Sequence, residues 1–266
     1  MSRITTVFDD LRRQGRRGFI AYLTAGDPSL ADTREYVLRL ADAGTDLVEL
    51  GLAFSDPLAD GPVNQAAAER ALAAGATLDR VLETVRELRR ETPIPLVLYS
   101  YLNPLLARGI GSTLRRVAEA GFDGVLALDL PPEEAAAFHA DFEKAGLDRI
   151  VLVAPTSDDE RIALIVRGAG GFVYCISRAG VTGAQNRMSG EAAGVLRRAR
   201  RHTALPLALG FGISTPDQAR QATRLADAVV VGSALVQRLN EAGPHAARRA
   251  AVFDWARRMA EAVHGA

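Results

Sequence analysis

The sequence predicts an α/β fold, a single (β/α)8 TIM barrel covering residues 1–266, with an extra N-terminal helix and long loops after strands two and six. Three observations predict it. Short apolar runs alternate with longer amphipathic stretches from one end of the chain to the other. Eight such pairs in 266 residues leave about 33 residues for each, the size of a βαβ repeat. The runs are apolar throughout rather than at every second residue, as in a parallel sheet covered on both faces by helices. A doubly wound open sheet is the alternative. Its phosphate-binding glycines belong after the first strand, however, whereas the glycine-rich turns here come late. No Ser/Gly/Pro-rich linker marks a second domain.

In chain order the strands are read at Gly18–Leu23, Leu47–Leu50, Pro95–Tyr99, Gly124–Ala127, Ile150–Val153, Gly171–Ile176, Pro206–Leu209 and Ala228–Val231. Each is too short for a helix, and several are β-branched and bounded by Gly, Pro or Asp. Helical patterns lie between them, as at Leu30–Ala43, Leu78–Arg90, Glu133–Ala145 and Gly190–Arg201. Thr77 and Ser189 stand where N-caps belong, and Gly44, Gly121 and Gly146 follow helix ends.

Composition removes several function classes. The 32 basic and 32 acidic residues balance to zero, which argues against nucleic acid or an anionic membrane as the main partner. One cysteine cannot make an internal disulfide, as expected of a reducing compartment. Met1 to Gly18 is basic and polar without an apolar h-region, and no apolar stretch approaches the ~20 residues of a membrane helix. A cytoplasmic protein is expected. Lys144 is the only lysine, and it ends a helix, away from the face where barrel chemistry takes place. His139, His202, His245 and His264 fall on helices or their ends and form no ligand set, so no metal site is expected. Cys175, inside the sixth strand, and Trp255, on the last helix, read as packing residues.

In a barrel the chemistry sits at the C-terminal strand ends and in the loops that follow. The second strand ends with Glu49, a carboxylate in an apolar run, and its acidic loop carries Asp60 eleven residues on. Glu49 reads either as half of a buried ion pair or as an acid–base group raised by desolvation, with a more exposed Asp60 staying ionised. Gly210-Phe211-Gly212-Ile213-Ser214 after strand seven and Gly232-Ser233 after strand eight let a backbone approach an anion, and together they read as a phosphate cradle. Arg178 to Arg187 after strand six, hinged by Gly180 and Gly183, reads as a lid. With neither a usable lysine nor metal ligands, two carboxylates are left to move protons, and the substrate must supply its own electron sink.

These residues resemble a known family. Glu49-Leu50-Gly51 followed by Phe54-Ser55-Asp56-Pro57-Leu58-Ala59-Asp60-Gly61-Pro62 is similar to the signature of the tryptophan synthase alpha chain. Thr24-Ala25-Gly26-Asp27-Pro28, Asp129-Leu130-Pro131, Gly180-Val181-Thr182-Gly183 and Gly210 to Ser214 match it in the same order. The resemblance implies a barrel that cleaves indole-3-glycerol phosphate to indole and glyceraldehyde 3-phosphate without a cofactor. It implies that Glu49 is the acid–base group and that Asp60 holds the indole N–H. Gly183, Gly212, Gly232 and Ser233 would bind phosphate, and Thr182 would meet Asp60 from the lid. Tyr22, Tyr99, Asp129, Tyr174 and Phe211 would contact the rest of the substrate. A pyridoxal-phosphate-dependent beta subunit is the implied partner.

The sequence also departs from the family pattern. Ala53 stands where proline is usual, in the loop that communicates with a beta chain, and Asn64 replaces an aliphatic residue. Tyr22 and Tyr99 stand where Phe and Leu or Met are common, and Leu128 where a smaller residue or proline is usual. Two alternatives therefore stay open. One is a stand-alone lyase of a specialised pathway, acting on indole-3-glycerol phosphate or a ring-substituted form of it; the other is a non-catalytic barrel that activates a partner.

Overall fold

The computed structural model describes residues 2–176, 190–210 and 212–265. The chain opens with α1 (Arg3–Arg13), β1 (Gly18–Ala25), α2 (Leu30–Asp42), β2 (Leu47–Leu52), α3 (Pro62–Ala73), α4 (Leu78–Leu88) and β3 (Leu96–Ser100). It continues through α5 (Leu102–Leu106), α6 (Ile110–Ala120), β4 (Gly124–Ala127), α7 (Pro132–Ala145), β5 (Asp148–Val153), α8 (Asp159–Ile165) and β6 (Val173–Ile176). Last come α9 (Gly190–His202), β7 (Leu207–Gly210), α10 (Pro216–Ala222), β8 (Ala228–Val231), α11 (Ser233–Ala242) and α12 (Ala246–His264). Among the described residues the eight strands pair in parallel in sequence order, and β8 returns to β1 to close the barrel.

Local chemistry sets the element ends. The Thr77 hydroxyl accepts the Arg80 N–H and caps α4, while Gly121 and Gly146 end α6 and α7 in the left-handed conformation that glycine adopts without strain. At the N-terminal rim, Asp46, Asp123 and Asp227 each precede a strand. Each accepts the N–H of a residue in the strand before, Phe19, Leu96 and Leu207 respectively. This repeated carboxylate fastens neighbouring strands at the end of the barrel that carries no chemistry.

Packing separates into two shells. The outward strand residues, such as Leu50, Leu98 and Val229, are fully buried against the helix layer. Inside, Ile20, Leu47, Val97, Leu126, Ile150 and Phe172 fill the lower half of the barrel. Ile4, Phe8 and Leu11 of α1 plug it from below, so the N-terminal helix is the floor of the core. With the bottom sealed by apolar side chains, polar groups have room only in the upper layer. Among the described residues no helix is long and apolar enough to cross a membrane.

Candidate active site

β2 presents Glu49 inward from the upper layer, between Tyr22 of β1 and Val97 of β3 in register. Its side chain is almost wholly buried, 1% exposed, and among the described residues its Oε1 has no hydrogen-bond partner. Of the two sequence readings, the buried ion pair is therefore not formed among the described residues. Desolvation pushes the Glu49 carboxyl up to about 8, so it carries a proton at neutral pH.

The loop between β2 and α3 folds back over the barrel mouth and brings Asp60 to the same cavity. The phenol of Tyr101 donates to Asp60 Oδ2 at 2.9 Å, and the phenol of Tyr99 donates to Oδ1 at 3.2 Å. Tyr101 Oη also accepts the Ala59 N–H at 2.9 Å, and the Gln65 amide donates to the Asp60 carbonyl at 2.8 Å. Asp60 is less exposed than its loop position predicts. Burial raises its affinity for a proton, while the hydrogen bonds from Tyr101 and Tyr99 act in the opposite direction. The two carboxyls thus sit in different settings, one dry and unpartnered, the other held by phenols.

The cavity they share has an internal volume of about 110 Å³ and opens to solvent. Its walls bring together Tyr22, Glu49, Asp60, Tyr99, Tyr174, Gly212, Gly232 and Ser233, all expected at the site from the sequence. Gly232 is the N-cap of α11 and Ser233 its first residue, so free N–H groups at the helix start face the cavity rim. Gly212 has φ +81°, a backbone conformation that favours glycine. Thr182, Gly183 and Phe211, with the expected lid and the Ser189 cap, lie outside the described residues.

Asp129 is not brought to this cavity. It is exposed at the end of β4, its Oδ1 accepts the Leu102 N–H at 2.6 Å, and it lines a separate cavity with Arg149 and Arg161. Conversely, the sequence reading missed Tyr101, which lies just past the end of β3, and the apolar wall residues Ile213 and Val230. The only signal for Tyr101 was its place at a C-terminal strand end.

Two inward tyrosines repeat one arrangement. Tyr22 pairs with Glu49, and Gly51 lies two residues beyond on the same face of β2. Tyr174 pairs with Ala208, and Gly210 lies two residues beyond on β7. A Cβ built on Gly51 would stand 2.3 Å from Tyr22 Oη, and one on Gly210 would stand 2.2 Å from Tyr174 Oη. Each phenol occupies the space its neighbouring glycine leaves.

Among the described residues no three His, Cys, Asp or Glu side chains stand together as a metal-binding group. His264 and His202 pair with Asp46 and Asp159 at 2.7 Å each, outside the cavity. Cys175 and Trp255 are buried in the outer core. Lys144 lies in the last turn of α7.

A model of the tryptophan synthase alpha chain family matches residues 8–264. The chain belongs to the tryptophan synthase alpha chain family. It is 48% identical to the tryptophan synthase alpha chain of Geobacter sp. (strain M21) over 237 residues, 89% of each protein. It is also 48% identical to that of Geobacter sulfurreducens, over 89% of this chain and 90% of the relative. Among solved structures, tryptophan synthase subunit alpha of Legionella pneumophila superposes with a TM-score of 0.90 at 36% identity, covering 99% of this chain and 98% of the other. A tryptophan synthase structure from Mycobacterium tuberculosis matches with the same score, identity and coverage. The chain is accordingly a carbon–carbon lyase of tryptophan biosynthesis, which cleaves indole-3-glycerol phosphate to indole and glyceraldehyde 3-phosphate.

Proposed function

We propose that Glu49 and Asp60 carry this cleavage by proton transfer and charge stabilisation. The observation that carries the reading is the unpartnered, desolvated Glu49 oxygen, facing a cavity closed on another side by a phenol-held Asp60. Protonated at neutral pH, Glu49 gives its proton to C3 of the indole ring. The ring becomes an iminium, and Asp60, hydrogen-bonded to the ring N–H, stabilises that positive charge. Glu49, now a carboxylate in a dry site, takes the proton of the adjacent glycerol hydroxyl. The electrons of the breaking carbon–carbon bond return to the ring, releasing indole, and the hydroxyl carbon becomes the aldehyde.

Gly212, Gly232 and Ser233 would hold the phosphate, with Gly183 completing the cradle; Tyr22, Tyr174, Thr182 and Phe211 would enclose the rest of the substrate. Asp129, at a distance from the cavity, would act on the substrate only through the segment it fastens at Leu102.

The proposed partner is a tryptophan synthase beta subunit that supplies pyridoxal phosphate chemistry of its own. The loop tip supports this reading: Leu58 is 91% exposed, two residues before Asp60, so a protein that covers it touches the placement of Asp60 directly. Ala53, at the start of the loop, packs with Ala68, Ala71 and Ala76 rather than lying on the surface. A single cysteine, which cannot form an internal disulfide, supports a cytoplasmic location.

A steady-state assay of the purified chain with and without a beta subunit tests the reading. Glu49→Gln should lower turnover by ~10²–10⁴-fold or more with substrate binding retained. A variant that kept more than roughly a tenth of the wild-type rate would remove Glu49 from the acid–base role.

A further inference from the structure

A second cavity opens at the opposite, N-terminal end of the barrel, between α1 and the segment that leads into β7. Its internal volume is about 420 Å³, against about 110 Å³ at the barrel mouth. Part of its wall is apolar: Phe8 and Leu11 of α1, which plug the barrel, and Leu205 and Pro206 just before β7. Four guanidinium groups, of Arg12, Arg16, Arg17 and Arg200, line it together with two carboxylates, Asp9 and Asp227. An apolar wall with a small set of charged groups is the usual make-up of a small-molecule site.

Both carboxylates are already committed. Asp9 pairs with Arg12. Asp227 is shared by Arg17, at 3.2 Å, and Arg200, and it also accepts the Leu207 N–H at 2.9 Å. Among the described residues the half-buried Arg16 guanidinium meets only a neutral acceptor, the Gln14 side-chain oxygen at 3.1 Å. The wall thus carries more positive than negative charge, and Arg16 is the cation without a carboxylate. Helix ends account for part of this excess, because Arg12 and Arg200 lie in the last turns of α1 and α9, where the helix dipole favours a cation. Arg16 lies past the cap of α1, where that effect has fallen off. Its position is nevertheless fixed: Gly15 turns the chain at φ +67°, and the Arg16 N–H donates to the Leu11 carbonyl at 2.8 Å. The free cation is therefore tied by its backbone to a residue of the apolar wall.

We propose that this cavity binds a small organic anion, a carboxylate or phosphate monoester with an apolar body, its charge on Arg16 and its body on Phe8 and Leu11. A guanidinium fork matches either head group through two parallel hydrogen bonds. An anion without a body would leave the apolar wall wet, and a neutral apolar molecule would leave Arg16 unpaired. The bound molecule touches both α1 and the segment before β7, so it fastens the floor helix to the barrel at the end away from Glu49 and Asp60. The site is independent of the lyase reading.

Titration calorimetry of the full chain with 1-naphthoate, 1-naphthyl phosphate, neutral 1-naphthamide and acetate tests it, with hydrogen exchange locating the bound probe. At least one naphthyl acid should bind with Kd below about 1 mM, and the amide and acetate ~10-fold or more weakly. Amide exchange should slow in residues 5–17 and 200–206, and whichever acid binds there more tightly names the head group. Arg16→Gln should raise the Kd of that acid ~10-fold and Arg16→Glu should raise it further. Arg16 makes no ion pair among the described residues, so both variants should fold. Arg90→Gln, at an exposed position beyond α4, should change the Kd by less than about 2-fold. Protection confined to the barrel mouth, equal binding of the amide, Arg16 variants that bind like the wild type, or no saturation by either acid would each overturn the proposal.

Discussion

Replacing Glu49 with Gln should change how stability depends on pH as well as how fast the reaction runs. The folded Glu49 carboxyl is raised from an ordinary 4.5 to about 8 by burial alone. Below pH 4.5 both folded and unfolded chains hold the proton, and Glu49 imposes no penalty. As pH rises, the unfolded chain releases that proton while the folded one keeps it, so stability is lost up to about pH 8 and then levels off. At 1.36 kcal/mol for each pH unit, the full loss is on the order of 5 kcal/mol, of which roughly 3 kcal/mol develops between pH 5.5 and 8.5. Glutamine has no proton to lose and nearly the same shape. Urea unfolding of wild type and Glu49→Gln at those two pH values isolates the effect, since every other titrating group is common to both. The variant should gain on the wild type by roughly 3 kcal/mol between the two pH values, with turnover falling in the wild type over the same alkaline range. Parallel stability profiles would refute the dry, unpartnered carboxyl and the acid role built on it.

Other consequences are open to direct measurement. Tyr101→Phe removes the donor to Asp60 and the acceptor for the Ala59 N–H, so kcat/KM should fall ~10-fold and the Asp60-dependent acid limb should move to higher pH; an unmoved limb would mean that the phenol only packs. Tyr99→Phe should do the same more weakly, its bond to Asp60 being longer at 3.2 Å. A Cβ at Gly232 meets Tyr22 no closer than 3.6 Å, so Gly232→Ala should fold and bind while Gly232→Asp loses phosphate affinity by charge; equal binding by the two would remove the anion site from that turn. Gly212→Asp is the poorer test, because φ +81° strains any side chain there.

The barrel was legible because uninterrupted apolar runs can only be strands buried on both faces, and eight of them leave little choice of architecture. Glu49 was legible for the opposite reason: a charge in such a run is expensive unless something uses it. What escaped the reading depends on side-chain direction across long separations. Tyr101 reaches Asp60 across 41 positions, and no local pattern marks a phenol that will donate over that distance. Asp129 was read as a substrate contact through the family resemblance alone, whereas its carboxylate accepts the backbone N–H of Leu102. The N-terminal helix was expected, yet its service as the barrel floor depends on Ile4, Phe8 and Leu11 meeting the inward strand residues from below.

The two tyrosine–glycine seats bear on how this site could be altered. Tyr22 and Gly51, like Tyr174 and Gly210, divide one volume between adjacent strands, so neither member can be exchanged freely alone. Phenylalanine in place of either tyrosine would leave a small void on the neighbouring strand, and alanine in place of either glycine would drive a ring towards the cavity. A library that randomises the pocket one position at a time will score both changes as damaging and miss the combinations in which a smaller aromatic meets a larger neighbour. Coupled randomisation of 22 with 51, and of 174 with 210, is the search that the barrel geometry permits, and descendants of this protein would be expected to drift in the same pairs.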